Sequence, residues 1–342
     1  MELLFLLGIF GVGMGALLFQ DSEEQEPEQE PDTEEDAITL EIDTSGDYEG
    51  SAGADSISIA TGLDFLDGLT LDTGAGDDSL ALAEAGTDGP VDPDSTYLVN
   101  SEVDAGAGND TIIAIGDSSV ISGNDGDDML TVAGSVTILG GAGDDQIISD
   151  GLAGAVSIEG GEGDDVIDAT RVTLGTVDGG AGDDSISLSS YNSAGQFVAA
   201  YGGEGDDTLE IDVRTPSDFS DFDFSLWGGE GADTFLVRIG EGFAPEGGET
   251  GADTVLRGQT IEDFDPSEDH LVIEPILNAD TSSLTDVTIE EATDSFDGIG
   301  TEITLHYDLV NGTRDVVIWL PGATGMSLGE ISLIGDQAAG LA

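Results

Sequence analysis

One motif recurs along this chain and limits what it can fold into: a glycine-rich turn that ends in two acidic residues and runs straight into a short alternating strand. The clearest copies are Gly140-Gly141-Ala142-Gly143-Asp144-Asp145, Gly160-Gly161-Glu162-Gly163-Asp164-Asp165, Gly179-Gly180-Ala181-Gly182-Asp183-Asp184 and Gly202-Gly203-Glu204-Gly205-Asp206-Asp207. Gln146-Ile147-Ile148 and Val166-Ile167 follow two of them. Glycine admits the positive φ of a tight turn, and alternation of apolar and polar residues suits a half-buried strand. Carboxylates and free carbonyls gathered at a turn offer the hard oxygen ligands that Ca²⁺ prefers. A chain that repeats turn and strand in this way covers each copy with the next. The spacing therefore predicts an all-β, calcium-loaded parallel β-solenoid.

The last aspartate of each turn falls at Asp78, Asp110, Asp128, Asp145, Asp165, Asp184, Asp207, Asp233 and Asp253. From Asp110 onward the intervals cluster near 18 residues. A Pro-, Gly- and Asp-bearing stretch between Leu82 and Leu98 reads as an insertion. A second short strand lies between successive turns, as in Val136-Thr137-Ile138 and Val156-Ser157-Ile158. One coil thus has two strands and a well-formed Gly-Asp turn on one side only. The opposite turns, such as Ser149-Asp150-Gly151-Leu152-Ala153-Gly154, lack the pattern. Six loops from Asp128 to Asp233 leave five gaps between them, which predicts about five tight ions.

Composition fits a cation-loaded solenoid. The chain has 74 acidic and 5 basic residues and a formal charge of −69. Such a polyanion excludes nucleic acid as a partner, because a phosphate backbone demands a positive surface. It attracts divalent cations, and without them self-repulsion opposes compaction. There is no cysteine, so neither disulfides nor thiolate metal sites are available, and bound calcium is the remaining staple.

Leu3 to Phe19 is uncharged and almost wholly apolar. As a helix it spans about 26 Å, near the lower limit for crossing a bilayer. Glu2 stands where a signal peptide carries Lys or Arg, and no clear small-x-small cleavage site follows. Residues 1–20 are therefore read as a hydrophobic helix that anchors the chain in a membrane through residues 3–19, with a signal-like segment as the alternative. Residues 21–37 read as a disordered acidic spacer, with Pro27 and Pro31 among Glu and Asp.

The turns resemble the RTX, or hemolysin-type, calcium-binding repeat, G-G-x-G-x-D-x-U-x, strongest from Gly123 to Phe235. The resemblance implies a parallel β-roll over residues 38–256. It implies that the sixth-position aspartates, Asp128, Asp145, Asp165, Asp184, Asp207 and Asp233, bind Ca²⁺ through their side chains between successive turns. Asp110 and Asp78 match less fully, and the Asp253 turn has one extra residue. Carbonyls of the Gly-x-Gly stretch complete the implied sites: Gly141 and Gly143, Gly161 and Gly163, Gly180 and Gly182, Gly203 and Gly205, Gly229 and Gly231. The fifth-position residues Asp144, Asp164, Asp183 and Asp206 read as solvated turn residues.

Residues 257–342 are expected to form a small β-rich C-terminal cap. Within it, Thr301 to Leu320 alternates on both sides of Asn311-Gly312 as a hairpin does. The resemblance implies a type I secretion signal at the C-terminus, and Ser327 to Ala342 fits one. His270 and His306 stand outside any recognisable catalytic constellation, and carboxylate pairs that recur in every turn point to metal rather than to an active site. The resulting expectation is a calcium-binding surface or secreted module rather than an enzyme, folded and stiffened by its ions, with an unidentified protein or polysaccharide partner. The alternatives are a calcium-dependent adhesin or matrix protein released by type I secretion, and a solenoid polysaccharide-active enzyme.

Overall fold

The alternating segments form parallel strands stacked in register, one above another. The computed structural model describes residues 37–60, 62–83, 97–150, 154–189, 196–213, 222–239, 254–275, 282–294, 298–309 and 312–334. The expected N-terminal helix and membrane anchor, the spacer before residue 37, Asp253 and most of the 82–98 insertion lie outside these residues. Among the described residues no helix is long and apolar enough to cross a membrane.

Two walls enclose the core. Down the first, Ile57, Leu80, Ile112, Leu130, Ile147, Ile167, Ile186, Leu209, Phe235 and Leu271 follow one another in parallel register. Down the second run Leu71, Val103, Ile121, Ile138, Ile158, Val177, Ala200, Leu226 and Ile261. All of these are buried in one continuous apolar cluster. Side chains alternate across a strand, and a second buried column two residues along, such as Leu188, Ile211, Val237 and Ile273 on the first wall, widens the core. Thr111–Asp125 and Met129–Ala142 are long enough to serve both walls and turn the corner between them. The expected all-β parallel stack, with a glycine-aspartate turn along one edge, is thus present.

The stack continues past the expected boundary at residue 256. Thr254–Ile261 pairs in parallel with Phe222–Glu230, and His270–Pro275 with Thr234–Ile239. Gly312–Pro321 and Ile331–Leu333 add a further parallel rung. The antiparallel strands Ser282–Asp294 and Gly298–Leu309 join the roll by pairing onto Gly312–Pro321. The hairpin expected around Asn311-Gly312 is the second half of this cap.

Candidate metal centre

The glycines of each turn have two different reasons to be glycine. At Gly141 and Gly143 φ is +132° and +129°, a region that side-chain-bearing residues rarely enter. The carbonyls of these two residues point along the stack: a methyl group on Gly161 would lie 1.9 Å from Gly141 O, and one on Gly163 would lie 2.2 Å from Gly143 O. The first glycine of the turn is constrained by space instead. A methyl group on Gly160 would lie 2.2 Å from Asp165 Oδ2 and 2.4 Å from Gly179 O. Gly140, Gly179 and Gly202 are in the same position, each between the carboxylate of its own turn and a carbonyl of the next.

The sixth-position aspartates form a buried ladder. The Asp110 amide donates to Asp128 Oδ1 at 2.7 Å, and Asp128, Asp145, Asp165 and Asp184 each donate to the next aspartate at 2.8 Å. Asp207 continues to Asp233 at 3.0 Å. The other carboxylate oxygen, Oδ2, is buried without a hydrogen-bond partner at Asp78, Asp110, Asp128, Asp145, Asp165, Asp184 and Asp207. Buried polar atoms are almost always paired, and an unpaired charge inside a protein is expensive. Burial accordingly pushes these carboxyls up, to about 7 at Asp110, Asp145 and Asp184 and about 6 at Asp128, Asp165, Asp207 and Asp233. The amide bond to each opposes the rise, and neighbouring aspartates add to it.

A row of unpaired anionic oxygens beside main-chain carbonyls fits an oxygen-seeking cation. Among the described residues no three His, Asp or Glu side chains converge. That is consistent with the donor set here, in which each turn supplies one free carboxylate oxygen and the carbonyls supply the rest.

The two ends of the ladder differ from its middle. Asp55 accepts Ile38 N and the Ser51 hydroxyl at Oδ1 and Ser51 N at Oδ2. Asp269 accepts Asp233 N and Asp265 N, one on each oxygen. Asp263 accepts Gly228 N and Gly229 N. Sequence reasoning placed Asp253 after Asp233, but the next rung is Asp269. His270 pairs with Thr234 and so brings Asp269 over Asp233, whereas Thr254 pairs with Arg314 in the other wall. The Asp-then-strand order at Asp269-His270-Leu271-Val272 was the available signal, and the missing glycines hid it.

The fifth-position residues are exposed, as expected, but not free. Asp127 Oδ1 accepts Asp144 N, Asp144 accepts Asp164 N, Asp164 accepts Asp183 N, and Asp183 accepts Asp206 N, at 2.8–3.0 Å. This outer ladder runs in the opposite sense to the inner one. Across the roll, serine takes the place of aspartate: Leu69 N donates to Ser101 Oγ and Ser101 N to Ser119 Oγ. A hydroxyl carries its own proton and leaves no charge to neutralise.

A family model described as the RTX calcium-binding nonapeptide repeat matches in four copies, at residues 104–134, 131–151, 148–171 and 176–190. Residues 104–190 are RTX calcium-binding repeats. No curated protein matches the chain. The RTX copies contain Asp110, Asp128, Asp145, Asp165 and Asp184. The turns that end at Asp207 and Asp233 lie beyond the match and repeat its geometry. His306 lies in the cap, between Asp315 Oδ1 at 2.7 Å and Thr288 Oγ1 at 3.2 Å, away from the ladder.

Proposed function

We propose that this chain is an extracytoplasmic calcium-binding module whose RTX roll folds and stiffens as Ca²⁺ enters one edge. The observation that carries the reading is the unbroken row of buried, unpartnered Oδ2 atoms from Asp78 to Asp207. The side-chain ligands are Asp110, Asp128, Asp145, Asp165, Asp184, Asp207 and Asp233. The carbonyls of Gly160, Gly179, Gly202 and Gly228, each across the gap from the free carboxylate oxygen of the turn before, complete the sites in place of the expected Gly141, Gly143 and their equivalents. The ion supplies positive charge between two turns. The chain holds the carboxylate in place through the amide on Oδ1, keeps water out with the apolar column beneath, and leaves room through the first glycine of each turn.

The role is binding and structural. A turn whose charge is met only by calcium holds where calcium is abundant, since extracellular-type sites bind at roughly 10⁻⁴–10⁻³ M. The roll therefore acts outside the cytoplasm, and Leu3–Phe19 is its membrane tether. Titration of metal-stripped protein with CaCl₂, followed by far-UV circular dichroism, tests the reading. A β-sheet signal that develops with calcium and collapses on chelation supports it. A spectrum indifferent to calcium overturns it.

A further inference from the structure

The stack register aligns Thr73, Ala105, Gly123, Gly140, Gly160, Gly179, Gly202 and Gly228 as the first residue of successive turns. In the regular turns this position has no side chain, and an unpartnered carboxylate oxygen and a main-chain carbonyl oxygen border the gap. Around Gly140 they are Asp145 Oδ2 and Gly160 O, which would lie 2.3 and 2.4 Å from an added methyl carbon. Around Gly202 they are Asp207 Oδ2 and Gly228 O, at 2.2 and 2.4 Å. Neither oxygen brings a proton, so the gap calls for a cation.

Thr73 breaks the series. It is fully buried, its side chain occupies the gap, and its hydroxyl donates to Ala105 O at 2.6 Å. Ala105 O is the counterpart of Gly160 O and Gly228 O. The same hydroxyl lies beside the carboxylate of Asp78, whose Oδ2 keeps no hydrogen-bond partner because the proton goes to Ala105 O. One carbonyl that elsewhere awaits a metal is here given a proton, and the volume between it and Asp78 is filled by carbon and oxygen.

We infer that Thr73 replaces a calcium ion, so that the Asp78 turn is a permanently metal-free rung and the ion row begins beyond it. This rests on the calcium reading above and deepens it. The turns before Asp110 then rest on protein hydrogen bonds, with Asp78 Oδ2 the one buried carboxylate oxygen left unpartnered among the described residues there. Asp55 caps them with both oxygens taken, and the Ser101 and Ser119 hydroxyls close the opposite edge. The roll has a calcium-independent foot and a calcium-dependent body.

Native mass spectrometry of the full chain in Ca²⁺ tests this with four variants. Thr73→Gly opens the gap and should add one ion, whereas Thr73→Ser keeps the hydroxyl and should add none. Asp78→Asn should leave the ion count of the wild type, while Asp165→Asn should lose at least one ion. Hydrogen exchange in chelator supplies a second readout: amides of residues 55–80 should stay protected while those of residues 128–210 exchange. An Asp78→Asn chain that loses an ion as Asp165→Asn does, or equal exchange of the two regions in chelator, overturns the inference alone. A wild-type chain that binds no calcium overturns the underlying reading and this inference with it.

Discussion

At the residue scale the glycines separate into two kinds, and substitution should tell them apart. Gly160 has an ordinary backbone, and only space forbids a side chain there. Gly160→Ala pushes a methyl group against Asp165 Oδ2 and Gly179 O, and overpacking of this sort costs about 1–3 kcal/mol. The predicted result is the loss of one ion by native mass spectrometry and a lower melting temperature in calcium, with a smaller loss of stability in chelator. Gly141→Ala, at φ +132° and against Asn124 O, should destabilise with or without calcium. Equal behaviour of the two variants under both conditions would contradict this division. Asp165→Asn removes the charge but keeps the acceptor for Asp145 N. It should weaken calcium binding about tenfold or more at that rung and leave the metal-free protein no less stable than the wild type.

The inner ladder, taken as an element, gives the protein opposite pH responses with and without metal. Its carboxyls titrate near 6 to 7, above the unfolded value of 3.8. A group whose pKa is raised by folding contributes stability that is complete below the unfolded pKa and lost as pH rises through the folded one. The metal-stripped roll should therefore gain β-structure on acidification from pH 8 to pH 5. Calcium competes with protons for the same oxygens, so its affinity should fall as pH drops from 7 to 6. Circular dichroism of the stripped protein and calorimetric titration at stepped pH measure the two limbs. A metal-free roll most folded at pH 8 would reverse the sign and reject the account. Much of this element was legible from sequence. Gly-Gly-x-Gly-x-Asp names both the turn and its inward carboxylate, and the alternation after each Asp fixes the strand. Asp269 and Asp263 were not legible, because the cap brings them to the ladder across 36 and 35 residues without any glycine signature. The function of Thr73 was hidden too: threonine before Gly-Ala-Gly reads as ordinary strand end until the register sets its hydroxyl against Ala105 O.

On the scale of the whole molecule, a formal charge of −69 makes folding a question of counter-ions. Stripped of calcium at pH 8, the chain should expand, and its hydrodynamic radius by size-exclusion chromatography should shrink when millimolar Ca²⁺ returns. Mg²⁺ should substitute poorly, since it dehydrates reluctantly and demands tight octahedral geometry. If Leu3–Phe19 is the tether, external protease on intact cells should cut the acidic spacer and release the roll. Protection of that spacer would overturn the tethered topology without touching calcium binding. The core is built from columns of aliphatic residues that repeat from turn to turn. Each turn contributes a residue such as Ile147 or Ile158 and borrows the rest of its cover from its neighbours. The composition, poor in aromatics, is therefore no obstacle to a continuous apolar interior.

The parallel stack has a mechanical corollary. The first described strand, Thr39–Ile42, and the last, Ile331–Leu333, lie at opposite ends of the column, so a load between them pulls along the axis on which turns are piled. Under such a load bonds between turns open in sequence from an end, as a coil is peeled, instead of shearing all at once. Each released turn of about 18 residues pays out roughly 60 Å of extended chain. A molecule held by its two ends in calcium should yield in a train of steps of roughly 55–95 Å, longest at the Asp184–Asp233 turns, each reset when slack returns. In chelator the same pull should stretch the body without steps and leave only the metal-free foot to resist. Hung between a membrane and something outside it, the roll would behave as an extensible line whose yield point is set by the calcium around it.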